Sequence, residues 1–467
     1  MKKIFTTLAI LTILQVICFG QTNIQIKYNG QSTFDSLKVQ TCDNDMNFQS
    51  VYELKFKKET SIVSKTSLAP GVYWIFGDST MCGAFLISSA KGQTFSIEIN
   101  DEDVFYSGSP ENSNYKEYLQ GIQQFDQQMQ GLDQEYQNAK SRLPQYMLAP
   151  LVDTLNAKAL RIAAAKADYQ RQIVKNNPNT LLASIVQCSI DIPQPSKEIS
   201  SNRALMMEYY VSHYFDNFPW NDPTIFKTPI GINKVKEFCS LIAQAKRPEF
   251  DDYVMAAIQL SKVDTGSYFA FFDKVEKTLG DHASPYRIER LYIKMLKDML
   301  TLPKLPADRK RHCTYELSVI DKNHEGDLAP NFNIVTSKGE KMSLYDIQSE
   351  YLLLYLQHPT CPTCQRVRQM IADFPILNNA IASGKLKVLT VYFEDDQQIW
   401  NDYIVSPEAN PKYMHGWNKD QSIEEKKLYD TRAIPYMFIL DKDKRIIKKN
   451  VMETELEDAI RLLHINN

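Results

Sequence analysis

Between residues 351 and 449 the sequence fixes an order of apolar runs and breaks that few folds accommodate. Tyr351-Leu352-Leu353-Leu354-Tyr355-Leu356 is apolar throughout and too short for an ordinary helix, so it reads as a strand buried on both faces. Cys361-Pro362-Thr363-Cys364 follows at once and opens a helix predicted from about Cys361 to Ser383. A second apolar strand, Lys387 to Phe393, precedes a helix over Gln398 to Ile404. Ile434-Pro435 then leads into Tyr436 to Leu440 and Arg445 to Lys448, a hairpin turning about Asp441-Lys442-Asp443-Lys444, and a helix from Thr454 to Leu463 closes the run. Parallel strands need a crossover helix and antiparallel neighbours only a turn. A βαβ unit followed by a ββα unit therefore predicts a small α/β domain, with both cysteines where the first strand hands over to its helix.

A chain of 467 residues is long enough for several domains. Its net charge of −3 excludes the strongly basic surface that nucleic acid demands, so no nucleic-acid partner is expected. Lys2 and Lys3 precede an apolar run from Ile4 to Phe19, which closes on Cys18-Phe19-Gly20. That pattern reads as a signal peptide over residues 1–20, cleaved after Gly20. Lipidation of Cys18 is the weaker alternative, because Ile17 is large where a lipoprotein signal wants a small residue. An exported chain in a bacterial periplasm would then keep seven cysteines, Cys42, Cys82, Cys188, Cys239, Cys313, Cys361 and Cys364, too few to scaffold a fold and odd in number.

Residues 21–109 run in short alternating stretches such as Ile24 to Tyr28, Val51 to Phe56 and Phe95 to Ile99, about eight strands in all, which predicts an N-terminal β-sandwich. Cys42 and Cys82 lie there, either bridged or as free thiols. From Glu111 the period changes to a helical one. Tyr115, Tyr118, Ile122, Phe125, Met129, Leu132 and Tyr136 form one stripe, and after Pro144 a second helix carries Leu151, Leu155, Ile162 and Tyr169. Two long helices joined by a short connection are expected to pair as a hairpin, with a homodimeric coiled coil left open. The all-α region is assigned to residues 110–315, with 316–324 as linker and 325–467 as the α/β domain. Within the helical region, Phe215 to Pro223 is read as a linker, and Cys188, Cys239 and Cys313 as buried small hydrophobes.

A Cys-x-x-Cys alone is a weak signal, and its setting carries the chemistry. A cysteine at a helix N-terminus meets unsatisfied amide N–H groups and the positive end of the helix dipole, both of which favour thiolate. Cys361 is therefore the expected nucleophile and Cys364 the resolving thiol, with Pro362 setting the first helical turn. Arg366 and Arg368 add positive charge near the thiolate or are simply solvated helix positions, the reading preferred here. A cis Ile434-Pro435 would leave the carbonyl and amide of Ile434 free to pair with an extended substrate. His358, Glu394 and Asp395 are candidates to support a proton or the thiolate, although each also suits a solvated loop. No second Cys/His pair accompanies Cys361 and Cys364, and His358 and His415 are isolated, so neither a metal nor a cofactor is expected.

With Ala329-Pro330-Asn331-Phe332 ahead of it, the segment from Glu325 to His464 resembles the thioredoxin-like domains of exported bacterial thiol-disulfide oxidoreductases of the TlpA/ResA group. Tyr115 onward, and Phe226-Lys227-Thr228-Pro229, resemble uncharacterised β-sandwich and helical regions that precede such domains in secreted proteins. The resemblance implies a thioredoxin fold and a periplasmic protein-disulfide reductase. It also implies disulfide or thiol client proteins and a donor thiol protein, membrane-bound in one version. Two positions depart from the family pattern: Thr360 replaces a tryptophan, and Tyr355 stands where thioredoxin has a buried aspartate. A redox-inactive binding module on a thioredoxin scaffold is the rival reading.

Overall fold

The structure, a computed structural model, describes residues 22–30, 36–43, 46–55, 62–66, 68–88, 93–245, 247–432, 434–451 and 455–463. The signal-peptide reading and Cys18 lie outside the described residues. The chain divides into two compact units, Met1–Glu276 and Lys277–Asn467.

In the first unit β1 (Thr22–Tyr28), β4 (Ile62–Thr66), β7 (Thr94–Ile99) and β8 (Val104–Ser107) form one sheet in the order β4-β1-β7-β8. β2 (Ser36–Cys42), β3 (Phe48–Lys55), β5 (Gly71–Gly77) and β6 (Thr80–Ile87) form another, β3-β2-β5-β6. Alternate residues of both sheets, including Ile24, Ile26, Ile97, Val39, Ile75 and Phe85, meet in one buried cluster, which makes the pair a sandwich. Cys42 and Cys82 are free thiols.

The long helices α1 (Pro110–Lys140) and α2 (Gln145–Asn176) pack on each other as a hairpin. Tyr118 stacks on Tyr169 at 6.2 Å, and Lys166 pairs with Asp126 at 3.2 Å. Gly121 leaves room for that Tyr169 ring, since a Cβ there would come within 2.5 Å of its hydroxyl. Buried Asn112 fixes the start of α1 on β6, its side chain accepting from Leu86 N–H at 2.6 Å and donating to Leu86 O at 3.1 Å. Six helices follow: α3 (Leu181–Cys188), α4 (Lys197–Ser200), α5 (Arg203–His213), α6 (Pro229–Ala245), α7 (Asp251–Ser261) and α8 (Thr265–Val275). The segment expected as a linker is part of their core. Phe215 and Phe218 are buried, and Phe215 meets Phe238 at 4.7 Å and Trp220 at 5.2 Å. So much aromatic surface is worth more buried than strung between helices.

The second unit opens with a helix pair, α9 (Glu289–Leu300) and α10 (Ala307–Ile320). The expected linker thus includes the last turn of α10. A seven-stranded mixed sheet follows, built from β9 (Asn333–Thr336), β10 (Lys341–Ser343), β11 (Tyr351–Leu356), β12 (Leu386–Tyr392), β13 (Met414–Trp417), β14 (Tyr436–Asp441) and β15 (Ile446–Lys449) in the order β10-β9-β13-β12-β11-β14-β15. β11 lies near the middle, parallel to β12 and antiparallel to β14. Leu352, Leu354 and Leu356 face one core and Leu353 and Tyr355 the other, all fully buried, each worth about 1.5–3 kcal/mol of transfer free energy. Helices α11 (Pro362–Ala372), α12 (Pro375–Ala382), α13 (Gln397–Val405), α14 (Ser422–Glu425) and α15 (Leu456–Arg461) complete the unit. The single helix expected over 361–383 is two, because Pro375 cannot donate to the helical ladder and sits at the first position of a new helix. Among the described residues, no helix is long and apolar enough to cross a membrane.

Candidate active site

Strand β11 ends at Leu356 in the middle of the sheet, and residues 357–360 carry the chain to the N-terminus of α11. Cys361 is the N-cap residue, and its Sγ accepts from the Cys364 N–H at 3.5 Å. Pro362 occupies the first helical position, where a missing N–H costs nothing. The two thiols are free and differ in surroundings: Cys361 is half-buried, whereas Cys364 is fully buried. Burial pushes the Cys364 thiol up to about 12, against a partly opposing backbone hydrogen bond from His358. The Tyr355 hydroxyl donates to the Cys364 carbonyl at 3.1 Å, and burial holds that phenol well above its ordinary range. Tyr355 is thus a neutral donor where thioredoxin has a carboxylate.

Arg368 corrects the sequence reading. It is 4 % exposed, not solvated, and lies one turn beyond Cys364. Its guanidinium donates to Gln357 Oε1, to Pro359 O at 3.0 Å and to Glu408 Oε2, and it stacks over Tyr403 at 5.1 Å. One side chain therefore ties α11 to both ends of the loop that precedes Cys361. Arg366 is exposed.

His358 and Glu394 come together, Nε2 to Oε2 at 3.4 Å. The Thr360 N–H donates to His358 Nδ1 at 3.3 Å, which leaves the ring proton on Nε2, facing Glu394. Asp395 is exposed in the loop between β12 and α13. The Ile434-Pro435 peptide is cis. Both residues are half-buried just before Tyr436, which pairs across the ladder with Leu356, so the segment flanks the strand end that launches Cys361. His415, read as isolated from metal-ligand partners, is buried on β13, its Nδ1 2.7 Å from Thr390 Oγ1 and its Nε2 3.0 Å from Asn410 O. Among the described residues, no three His, Cys, Asp or Glu side chains are grouped to hold a metal.

A mixed sheet whose central strand delivers a Cys-x-x-Cys to a helix N-terminus, with an Ile-Pro segment at the neighbouring strand end, defines the thioredoxin-like class. A thioredoxin-like family model matches residues 349–446, and one described as a domain of unknown function (DUF5106) matches 166–323. The crystal structure of a thioredoxin-like protein from Bacteroides caccae is 26% identical and covers 59% of this chain and 98% of that one, with a TM-score of 0.53. The C-terminal domain of an uncharacterized protein from Bacteroides fragilis is 31% identical over 30% of this chain and 98% of that one, TM-score 0.29. The thioredoxin domain of a thiol-disulfide oxidoreductase from Bacteroides vulgatus is 17% identical over 30% and 99%, TM-score 0.27. No curated protein matches the chain. The chain thus carries a thioredoxin-like domain at its C-terminus, with a DUF5106 region ahead of that domain.

Proposed function

We propose that the protein is a periplasmic thiol-disulfide oxidoreductase working as a protein-disulfide reductase. The observation that carries this reading is the asymmetry of the pair, with Cys361 half-buried at a helix N-cap and Cys364 fully buried behind it. The thiolate of Cys361 attacks one sulfur of a client disulfide, the client S–S bond breaks, and the departing client thiolate takes up a proton. Cys364, having given up its proton, then attacks Sγ of Cys361 in the mixed disulfide and expels the second client thiolate. Two electrons pass to the client, leaving a Cys361–Cys364 disulfide for a donor thiol protein to reduce.

Ile434 and Pro435 form the edge along which the client segment lies. His358, bonded to Glu394, orients Thr360 immediately before the nucleophile, and no cofactor enters. Export rests on the Lys2 to Gly20 pattern, and the donor is a thiol protein at or beyond the membrane. The test is trapping: Cys364→Ser should accumulate a client-linked mixed disulfide through Cys361, and Cys361→Ser should not. A chain whose two variants behave alike with a disulfide protein such as insulin is not this enzyme, and a binding module on the same scaffold takes its place.

A further inference from the structure

The second unit carries a cluster of paired charge, buried at Asp430 and half-buried at its partners, on and around the segment that leads into Ile434-Pro435. Asp430 is 3 % exposed, and both its oxygens are gripped by Arg432, Nε to Oδ1 at 2.9 Å and Nη2 to Oδ2 at 3.0 Å. The other side of the same guanidinium reaches α10, where Nη1 donates to Glu316 Oε1 at 2.7 Å. Arg287 approaches Asp430 Oδ2 at 3.6 Å and Glu289 Oε2 at 3.3 Å. Glu289, at the start of α9, takes Lys449 of β15 at 2.6 Å and the Tyr436 hydroxyl at 3.4 Å. Lys449 also donates to the carbonyls of Ile320 at 2.9 Å and Lys322 at 2.7 Å, at the end of α10.

Asp430, Glu289 and Glu316 are thus matched by Arg287, Arg432 and Lys449. Burying charge is costly unless it is paired with good geometry; Arg432 meets that condition on both Asp430 and Glu316, whereas Arg287 adds longer ion pairs and keeps Nε and Nη2 without a hydrogen bond, so the cluster fixes position more than it adds stability. What it fixes is specific. Asp430 and Arg432 lie within five residues of Pro435, Tyr436 pairs with the last residue of β11, and the far anchors are on the helix pair. Burial alone would raise the Asp430 carboxyl, yet Arg432 and Arg287 hold it below its ordinary value, so the grip is ionic.

Resting on the exchange reading above, we propose that Arg432, clamped between Asp430 and Glu316, is a positioning residue for the Ile434-Pro435 edge. The α9–α10 pair is then part of the client site and not a separate module. A planar fork holding two carboxylates sets the angle of the loop as well as its place. A polypeptide client lies along this edge, while a small disulfide needs only the sulfur of half-buried Cys361.

The test uses the full-length protein and its Glu316→Gln and Arg432→Lys variants, reduced and then mixed with insulin or with oxidised glutathione. The rate constant with insulin should fall about tenfold in each variant, as misplacement of a docking edge predicts. The rate constant with glutathione and the reduction potential of the cysteine pair should stay unchanged. Arg432→Lys keeps the buried charge balanced, so it carries the test if Glu316→Gln does not fold. Equal loss with both disulfides, or no loss with insulin, overturns the proposal. An unaltered chain that reduces neither disulfide overturns the exchange reading itself and this proposal with it.

Discussion

At the residue scale the two cysteines divide one reaction by their surroundings. Burial keeps Cys364 a thiol through neutral pH, so it waits until a mixed disulfide forms beside it. Iodoacetamide added to the reduced protein should therefore modify Cys361 and spare Cys364, as read by peptide mass spectrometry; equal labelling would contradict the assigned roles. Arg368 makes a second prediction. Arg368→Leu strips donors from Gln357, Pro359 and Glu408 at once and should cost about 2–4 kcal/mol in urea unfolding. A loss below ~0.5 kcal/mol, the level of a surface change, would show that Arg368 behaves as a solvated side chain. The cysteine pair was legible because strand, dipeptide and helix are contiguous. Arg368 was not, because its carboxylate partner lies 40 residues away and helix position alone does not reveal burial.

At the scale of elements, long periodic or wholly apolar runs were readable: the α1–α2 hairpin, the sandwich strands, β11, β12 and the closing hairpin. Short or interrupted ones were not. Strand β13 is four residues with a glycine inside, and the reason for Gly416 appears only in three dimensions, where a Cβ would come within 2.7 Å of Ile334 on β9. That strand places His415 in the core, and burial holds its imidazole below the ordinary 6.5. As pH falls below 6.5 the unfolded chain binds a proton the folded one resists. The contribution of His415 is thus whole above that pH and is lost as pH drops toward the lower folded value. The melting temperature should fall between about pH 7 and about pH 5, and His415→Asn should flatten part of that slope. Identical slopes in the two proteins would show that other groups drive it.

At the scale of the whole molecule, a linker is expected at 316–324, between the helical region and the α/β domain. The structure instead puts residues from Lys277 onward in the same compact unit as the C-terminal sheet. Ion pairs between segments more than a hundred residues apart, such as Arg432 with Glu316, leave no local trace in sequence. The domain that carries the cysteines is therefore best studied in the full-length chain. The most direct test of the account is the reduction potential of the Cys361–Cys364 pair in that chain. It is measured by equilibration against a dithiothreitol or glutathione series, followed by differential alkylation and mass spectrometry of the peptide holding both cysteines. A two-electron couple near thioredoxin's value, about −270 mV, is the predicted result for a protein-disulfide reductase. A value near about −120 mV would contradict the direction of electron flow, and failure to form the disulfide at any poise would contradict the enzyme.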